Sequence, residues 1–151
     1  VASRQAEVAV GRMLNQLPLQ RIAYNSIPSV VYTNPEIACV GLTEKDLNDI
    51  KEGDFAPSMN TDEPFVPYEV HKMPMTYSGR FVAENEGEMG LCKMIVDKKN
   101  KTILGVHMIG NPCSEFVAAA SFAVRMGYTV HEFQQVVFPH PTVSEILKEV
   151  L

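Results

Sequence analysis

Two apolar runs constrain this chain more than any other feature: GLCKMIV (90–96) and TILGVHMI (102–109), separated by the polar DKKNK. Each has the length of a strand, and each is apolar at nearly every position rather than at every second one. A strand of that composition is buried on both faces, so the pair is predicted to form a hairpin in the interior of a sheet.

The segment that follows, NPCSEFVAAASFAVRMG, is predicted to be a helix. Asn111 is placed to cap it, Pro112 takes the first helical position, Arg125 sits in the last turn and Gly127 follows the end. Its surface is almost all Ala, Val, Phe and Ser, so both of its sides are expected to pack. Upstream, SVVYT (29–33) and IACVG (37–41) read as strands around the turn TNPE, and Thr43 opens a short polar helix, TEKDLNDIK. Residues 1 to 16 read as an amphipathic helix with Ala6, Val10, Met13 and Leu17 on one stripe, ending before Pro18. Residues 52 to 67 are acidic, rich in Pro and Asn and without period, and are expected to be a loop. Thr129 to Phe138 and Thr142 to Val150 are expected to be helical. Strands come first and helices last, without regular βαβ alternation, which predicts an α+β domain with an antiparallel sheet.

At 151 residues the chain is near single-domain size and could bury roughly two thirds of its unfolded surface. It opens in VASRQAEVAVGRM, already helical in pattern and without an initiator Met, so a segment of something longer is expected. Its 13 basic against 18 acidic residues give a net charge of −5 with no basic cluster, which argues against nucleic acid. No apolar run approaches the roughly 20 residues that span a bilayer, and no signal-peptide pattern leads the chain, so no membrane is expected either. Cys39, Cys92 and Cys113 are odd in number and widely spaced, which suits a reducing cytoplasm, with all three buried as small apolar residues. No GxGxxG follows a strand and no P-loop occurs, so any nucleotide cofactor must be shared with another part or another chain.

Most of the chemical interest lies in PHPTVSE (139–145). Two prolines hold His140 on a short, stiff, non-helical segment. Thr142-x-x-Glu145 is a capping-box pattern, repeated at Thr129-x-x-Glu132 and nearly so at Thr43-x-x-Asp46. On the residues alone, Glu145 is a helix cap and His140 a packed or solvated loop residue, or else the two form a dyad. In a dyad the carboxylate holds one ring nitrogen and the other works as a general acid/base near neutral pH. His71, His107 and His131 lack metal-ligand spacing and are read as structural, so no metal site is expected.

Residues 28–151 resemble the C-terminal dimerisation domain of the FAD-dependent pyridine nucleotide–disulfide oxidoreductases. HPTVSE resembles that family's terminal HPT-x-SE signature, YTNPEIACVGLTE its first strands and ILGVHMIG its central strand. Residues 1–27 resemble the last helix of the FAD domain and its linker. Glu36 and Val143 look more like dihydrolipoamide dehydrogenases than glutathione reductases. The resemblance implies a homodimer that uses FAD and NAD. His140 would act as the acid/base for thiol–disulfide exchange at the partner subunit's flavin and redox disulfide, with Glu145 orienting it. It also implies a cis His140–Pro141 bond, with His140 and Pro141 near the partner's FAD, and dihydrolipoamide or a lipoyl domain as substrate. The pattern departs from the family where Phe138 replaces a second histidine, where residues 52–74 run long, and where the FAD and NAD domains and the CxxxxC disulfide are missing. The fragment alone is therefore expected to be inactive. Two other readings stay open: the interface domain of another disulfide reductase, and an interaction module without a catalytic role.

Overall fold

The computed structural model describes residues 1–14, 22–52 and 66–151. In chain order its regular elements are α1 (Ala2–Met13), β1 (Ser29–Val31), β2 (Ile37–Gly41), α2 (Glu44–Glu52), β3 (Tyr68–Pro74), α3 (Gly79–Glu84), β4 (Leu91–Asp97), β5 (Ile103–Ile109), α4 (Cys113–Met126), α5 (Val130–Gln134) and α6 (Ile146–Glu149). The strands form one antiparallel sheet in the order β1-β2-β5-β4-β3. The expected hairpin is β4–β5, in the interior of that sheet. The loop expected over 52–67 falls almost wholly outside the described residues.

Register explains why the two central strands are apolar throughout. Ala38, Met108 and Cys92 stand opposite one another across β2, β5 and β4, as do Val40, Val106 and Met94 one step along. All six are buried in a cluster closed by Phe116, Val117, Ala120 and Ala123 of α4 and by Val143, Ile146 and Leu147 near the C-terminus. The opposite face carries a smaller cluster of Leu42, Leu47, Val66, Ile95 and Leu104. Burying a side chain the size of Phe81, which sits fully inside the first cluster, contributes about 1.5–3 kcal/mol.

Local cues work where they are local. Thr43 and Asp46 exchange side-chain-to-backbone hydrogen bonds at 2.8 and 3.1 Å and start α2. Thr129 and Glu132 do the same at the start of α5. Gly127 takes the left-handed conformation, φ 66°, that ends α4. The turn after β4 is organised by Asp97, whose Oδ1 accepts the N–H groups of Lys99 and Asn100.

Several expectations need correction. Asn111 does not cap α4: its Oδ1 accepts the N–H of Glu36 and its Nδ2 donates to Asn34 Oδ1. The cap comes from Glu36, whose carboxylate accepts the N–H of Ser114 at 3.0 Å, an anion at the positive end of the helix. α4 packs on one side only, and Phe122 and Met126 on the other are exposed. α1 buries none of its residues, although Met13 lines a shallow groove with Ile22 and Tyr24; Leu17 lies outside the described residues. α5 stops at Gln134 instead of reaching Phe138, because a residue before Pro139 is pushed away from helical geometry. Cys39 is half-buried, whereas Cys92 and Cys113 are buried. β3 and α3 were not anticipated. β3 is an edge strand with Glu69, Lys72 and Pro74 among its seven residues, the mixed composition that edges carry, and α3 is only six residues long.

A glycine contrast tests the packing. A Cβ on Gly105 would strike the carbonyl oxygen of Leu42, whereas one on Gly79 meets nothing within 4 Å. Gly105→Ala will therefore destabilise by about 1–3 kcal/mol or more, while Gly79→Ala will be neutral or stabilising by up to about 1 kcal/mol. Urea unfolding of both variants checks this, and equal midpoints would contradict it.

Candidate functional site

His140 lies on a short span between half-buried Phe138 and buried Val143. Before it, Phe138 packs against the main cluster and meets Phe133 edge to face, with ring centroids 5.9 Å apart. After it, Val143, Ile146 and Leu147 are buried. Both sides are held, and the histidine side chain between them is 81% exposed. The His140–Pro141 peptide is cis.

Glu145 divides its carboxylate. Oε1 lies 2.9 Å from His140 Nδ1 and Oε2 accepts the backbone N–H of Thr142 at 2.8 Å. One side chain thus makes both the backbone contact of a helix cap and the contact to His140. These bonds, that from Thr142 first and that from His140 second, hold the Glu145 carboxyl below its ordinary value. At neutral pH it is an anion and can only accept. The proton on the shared contact therefore belongs to Nδ1, and Nε2 presents its lone pair outward. Among the described residues no hydrogen bond occupies Nε2. The geometry supplies an imidazole of fixed tautomer, steadied by a carboxylate and facing away from its own domain.

Thr142 stitches the segment together. Its hydroxyl donates to Pro139 O at 2.8 Å, and its carbonyl accepts from Ser78 Oγ at 3.1 Å. Beside it, an open groove of about 400 Å³ is lined by Arg80, Pro112, Phe116, Pro141 and Val143, among others. Ser78 was missed from the sequence; its one cue was a serine heading GRFVAE, and its contact to Thr142 spans 64 positions.

The remaining histidines stand apart from this site. His107, on β5, has its Nε2 2.9 Å from Leu42 O, and burial lowers its pKa. His71 Nε2 lies 3.5 Å from Glu69 Oε1. His131 is on α5 and exposed. No three His, Cys, Asp or Glu side chains among the described residues are grouped to hold a metal. Burial pushes the Cys92 thiol up to about 12 and the Cys113 thiol up to about 11, so both are protonated and poor nucleophiles at neutral pH. Neither is a source of reactive sulfur. For a nucleotide or flavin, the described residues offer the exposed His140–Pro141 edge and no phosphate cradle, a fit for a group held mainly by other residues.

Comparison with known proteins bears on this arrangement. A family profile described as "Pyridine nucleotide-disulphide oxidoreductase, dimerisation domain" matches residues 27–151. Dihydrolipoyl dehydrogenase of Mycoplasma pneumoniae is 32% identical over 149 residues, 99% of this chain and 29% of that protein. The mitochondrial dihydrolipoyl dehydrogenase of Caenorhabditis elegans is 38% identical over 128 residues, 85% of this chain and 23% of that protein. The crystal structure of LpdA from Mycobacterium tuberculosis shares the fold with a TM-score of 0.80 at 23% identity, over 99% of this chain and 29% of that one. The chain thus spans less than a third of the length of these relatives.

The Glu145 carboxylate carries a pH signature. Its folded-state pKa is depressed, so its contribution to stability is present above the ordinary carboxyl value of 4.5 and is lost as pH falls below that value and through the lowered one. The stability difference between the protein and its Glu145→Gln variant will therefore shrink as pH falls from about 4.5 toward the lowered value. Denaturation midpoints across that range measure it, and a difference that grows toward acid would contradict it.

Proposed function

The chain belongs to the dimerisation-domain family of the pyridine nucleotide–disulphide oxidoreductases, and from that premise we propose that it is the interface domain of a dihydrolipoamide dehydrogenase, donating His140 and Glu145 to the active site of a partner subunit. The observation that carries the reading is the dyad: an ionised carboxylate fixes Nδ1–H and leaves Nε2 free on an exposed edge. Residues 1–27 are then the end of a FAD domain and its linker, and 28–151 the interface domain. The unburied stripe of α1 fits a helix whose partners lie in that FAD domain. Exposed Phe122 and Met126 on α4, and Val136 and Val137 just before His140, offer the apolar surface that a stable homodimer covers.

The chemistry follows from what thiol exchange lacks. Only a thiolate attacks a disulfide, and a dihydrolipoamide thiol is mostly protonated at neutral pH. His140 Nε2 takes the thiol proton while Glu145 stabilises the imidazolium that forms. The thiolate sulfur then bonds to one sulfur of the partner's redox disulfide as that S–S bond breaks. The imidazolium returns its proton to the thiolate released from the disulfide, and Nε2 then takes the proton of the second substrate thiol. That thiolate attacks the mixed disulfide, closing the lipoamide ring and releasing the partner's other sulfur as a thiolate. When bound, FAD would pass the electron pair from those sulfurs to NAD. Pro141 and His140 would line the flavin's edge, and Pro139, Pro141 and Thr142 hold the imidazole in place throughout.

A purely structural interface is the second reading; the free Nε2 favours the first. Free thiols suit a reducing compartment, the cytoplasm expected from the sequence or the mitochondrion named for the Caenorhabditis elegans relative.

In the full-length flavoprotein, His140→Gln will slow reduction of the enzyme by dihydrolipoamide about 100- to 10,000-fold, the usual contribution of a general acid/base. Reduction of the flavin by NADH needs no such base and will be nearly unchanged. Rapid mixing separates the two; similar slowing of both, or of neither, would return His140 to a structural role. The same protein will sediment as a dimer, and a stable monomer at high concentration would remove the interface.

A further inference from the structure

We propose that Ser78 is a positioning residue for His140, acting through the carbonyl of Thr142; the inference rests on the acid/base reading of the dyad. Ser78 is a polar residue only 6% exposed. Its hydroxyl accepts the N–H of Phe81 at 3.3 Å, capping α3, and donates to Thr142 O at 3.1 Å. Its backbone is equally engaged, with its N–H donating to Met75 O and its carbonyl accepting from Val82. Phe81 and Met75 are fully buried. At the far end of α3, Asn85 Nδ2 reaches Phe81 O and Asn111 O. Ser78 is thus a donor fixed by the core on either side.

Thr142 has every polar group committed. Its N–H goes to Glu145, its hydroxyl to Pro139 O, and its carbonyl to Ser78. The first two bonds stay within the segment that carries the dyad, whereas the third ties that segment to a different element. A continuous path therefore runs from the core through Ser78 Oγ, Thr142, Glu145 and His140 Nδ1. Without the Ser78 bond, Thr142 and the Glu145 contact on its N–H can shift together, carrying the imidazole with them. A misplacement of about 1 Å costs catalysis up to about 100-fold.

Three substitutions in the full-length flavoprotein separate this role from helix capping. Ser78→Ala removes both cap and donor. Ser78→Gly removes the donor while costing the cap only a few tenths of a kcal/mol. Ser78→Thr keeps both. Rapid mixing with dihydrolipoamide and, separately, with NADH will show the thiol half-reaction falling about 10-fold in Ala and Gly alike, NADH reduction unchanged within about twofold, and Thr restoring the thiol half-reaction to within about threefold. NADH reduction and bound flavin report that each variant is folded. Loss in Ala but not in Gly assigns the effect to the cap and overturns the inference, as does equal slowing of both half-reactions or of neither. His140→Gln run alongside separates the levels. If it slows the thiol half-reaction selectively and the Ser78 variants do not, the inference alone fails. If His140→Gln is itself unselective, the dyad reading fails and the inference with it.

Discussion

One carboxylate governs the end of this chain. Glu145 gives one oxygen to the backbone of Thr142 and the other to His140, so the bond that starts the last helical turns also fixes a histidine tautomer. The same carboxylate that accepts the Thr142 N–H also holds His140 Nδ1, which leaves Nε2 as the ring nitrogen without a partner among the described residues. The cap and the chemistry share a residue because both need an anion at one point, immediately after a stiff turn.

The rest of the fold keeps that point still. The central strands stack Ala38, Met108 and Cys92, and then Val40, Val106 and Met94, into the floor on which α4 lies. Phe138 and Val143 enter the same cluster from either side of His140, so an exposed side chain is carried by a segment anchored at both ends. Close packing gives such anchors little freedom. The domain is otherwise chemically quiet: its two buried thiols are held protonated and His107 is bound to a carbonyl inside the sheet. Its outward surfaces, α1, the far side of α4 and the segment before His140, are those a larger assembly would cover.

How much of this could be read from the residues depended on the range of each interaction. β4 and β5 were legible because burial on both faces makes a single run apolar throughout, and the body of α4 because an apolar run ends at Arg125 and Gly127. The caps at Thr43 and Thr129 were legible because both partners lie within three positions. His140 and Glu145 were legible as a pair, and one carboxylate makes both the backbone contact of a cap and the contact to His140. β3 was not legible, since an edge strand mixes charge with apolar residues to stay soluble. Asn111 carried the right residue type for a cap, yet its side chain is used by Glu36 and Asn34, and Glu36 caps α4 from 78 positions away. Ser78 and Thr142 meet across 64 positions. Contacts of that range leave no periodic trace in the sequence.

The central claim is that His140 serves a site in the partner subunit, and hybrid dimers test it most directly. One subunit would carry His140→Gln with its redox disulfide intact, and the other would carry native His140 with that disulfide removed. If His140 acts across the interface, the hybrid contains one complete site and recovers dihydrolipoamide oxidation at roughly half the native rate per dimer, although each parental homodimer is nearly inactive. If His140 acted within its own subunit, or not at all in the chemistry, the hybrid would be no more active than the mixture of its parents.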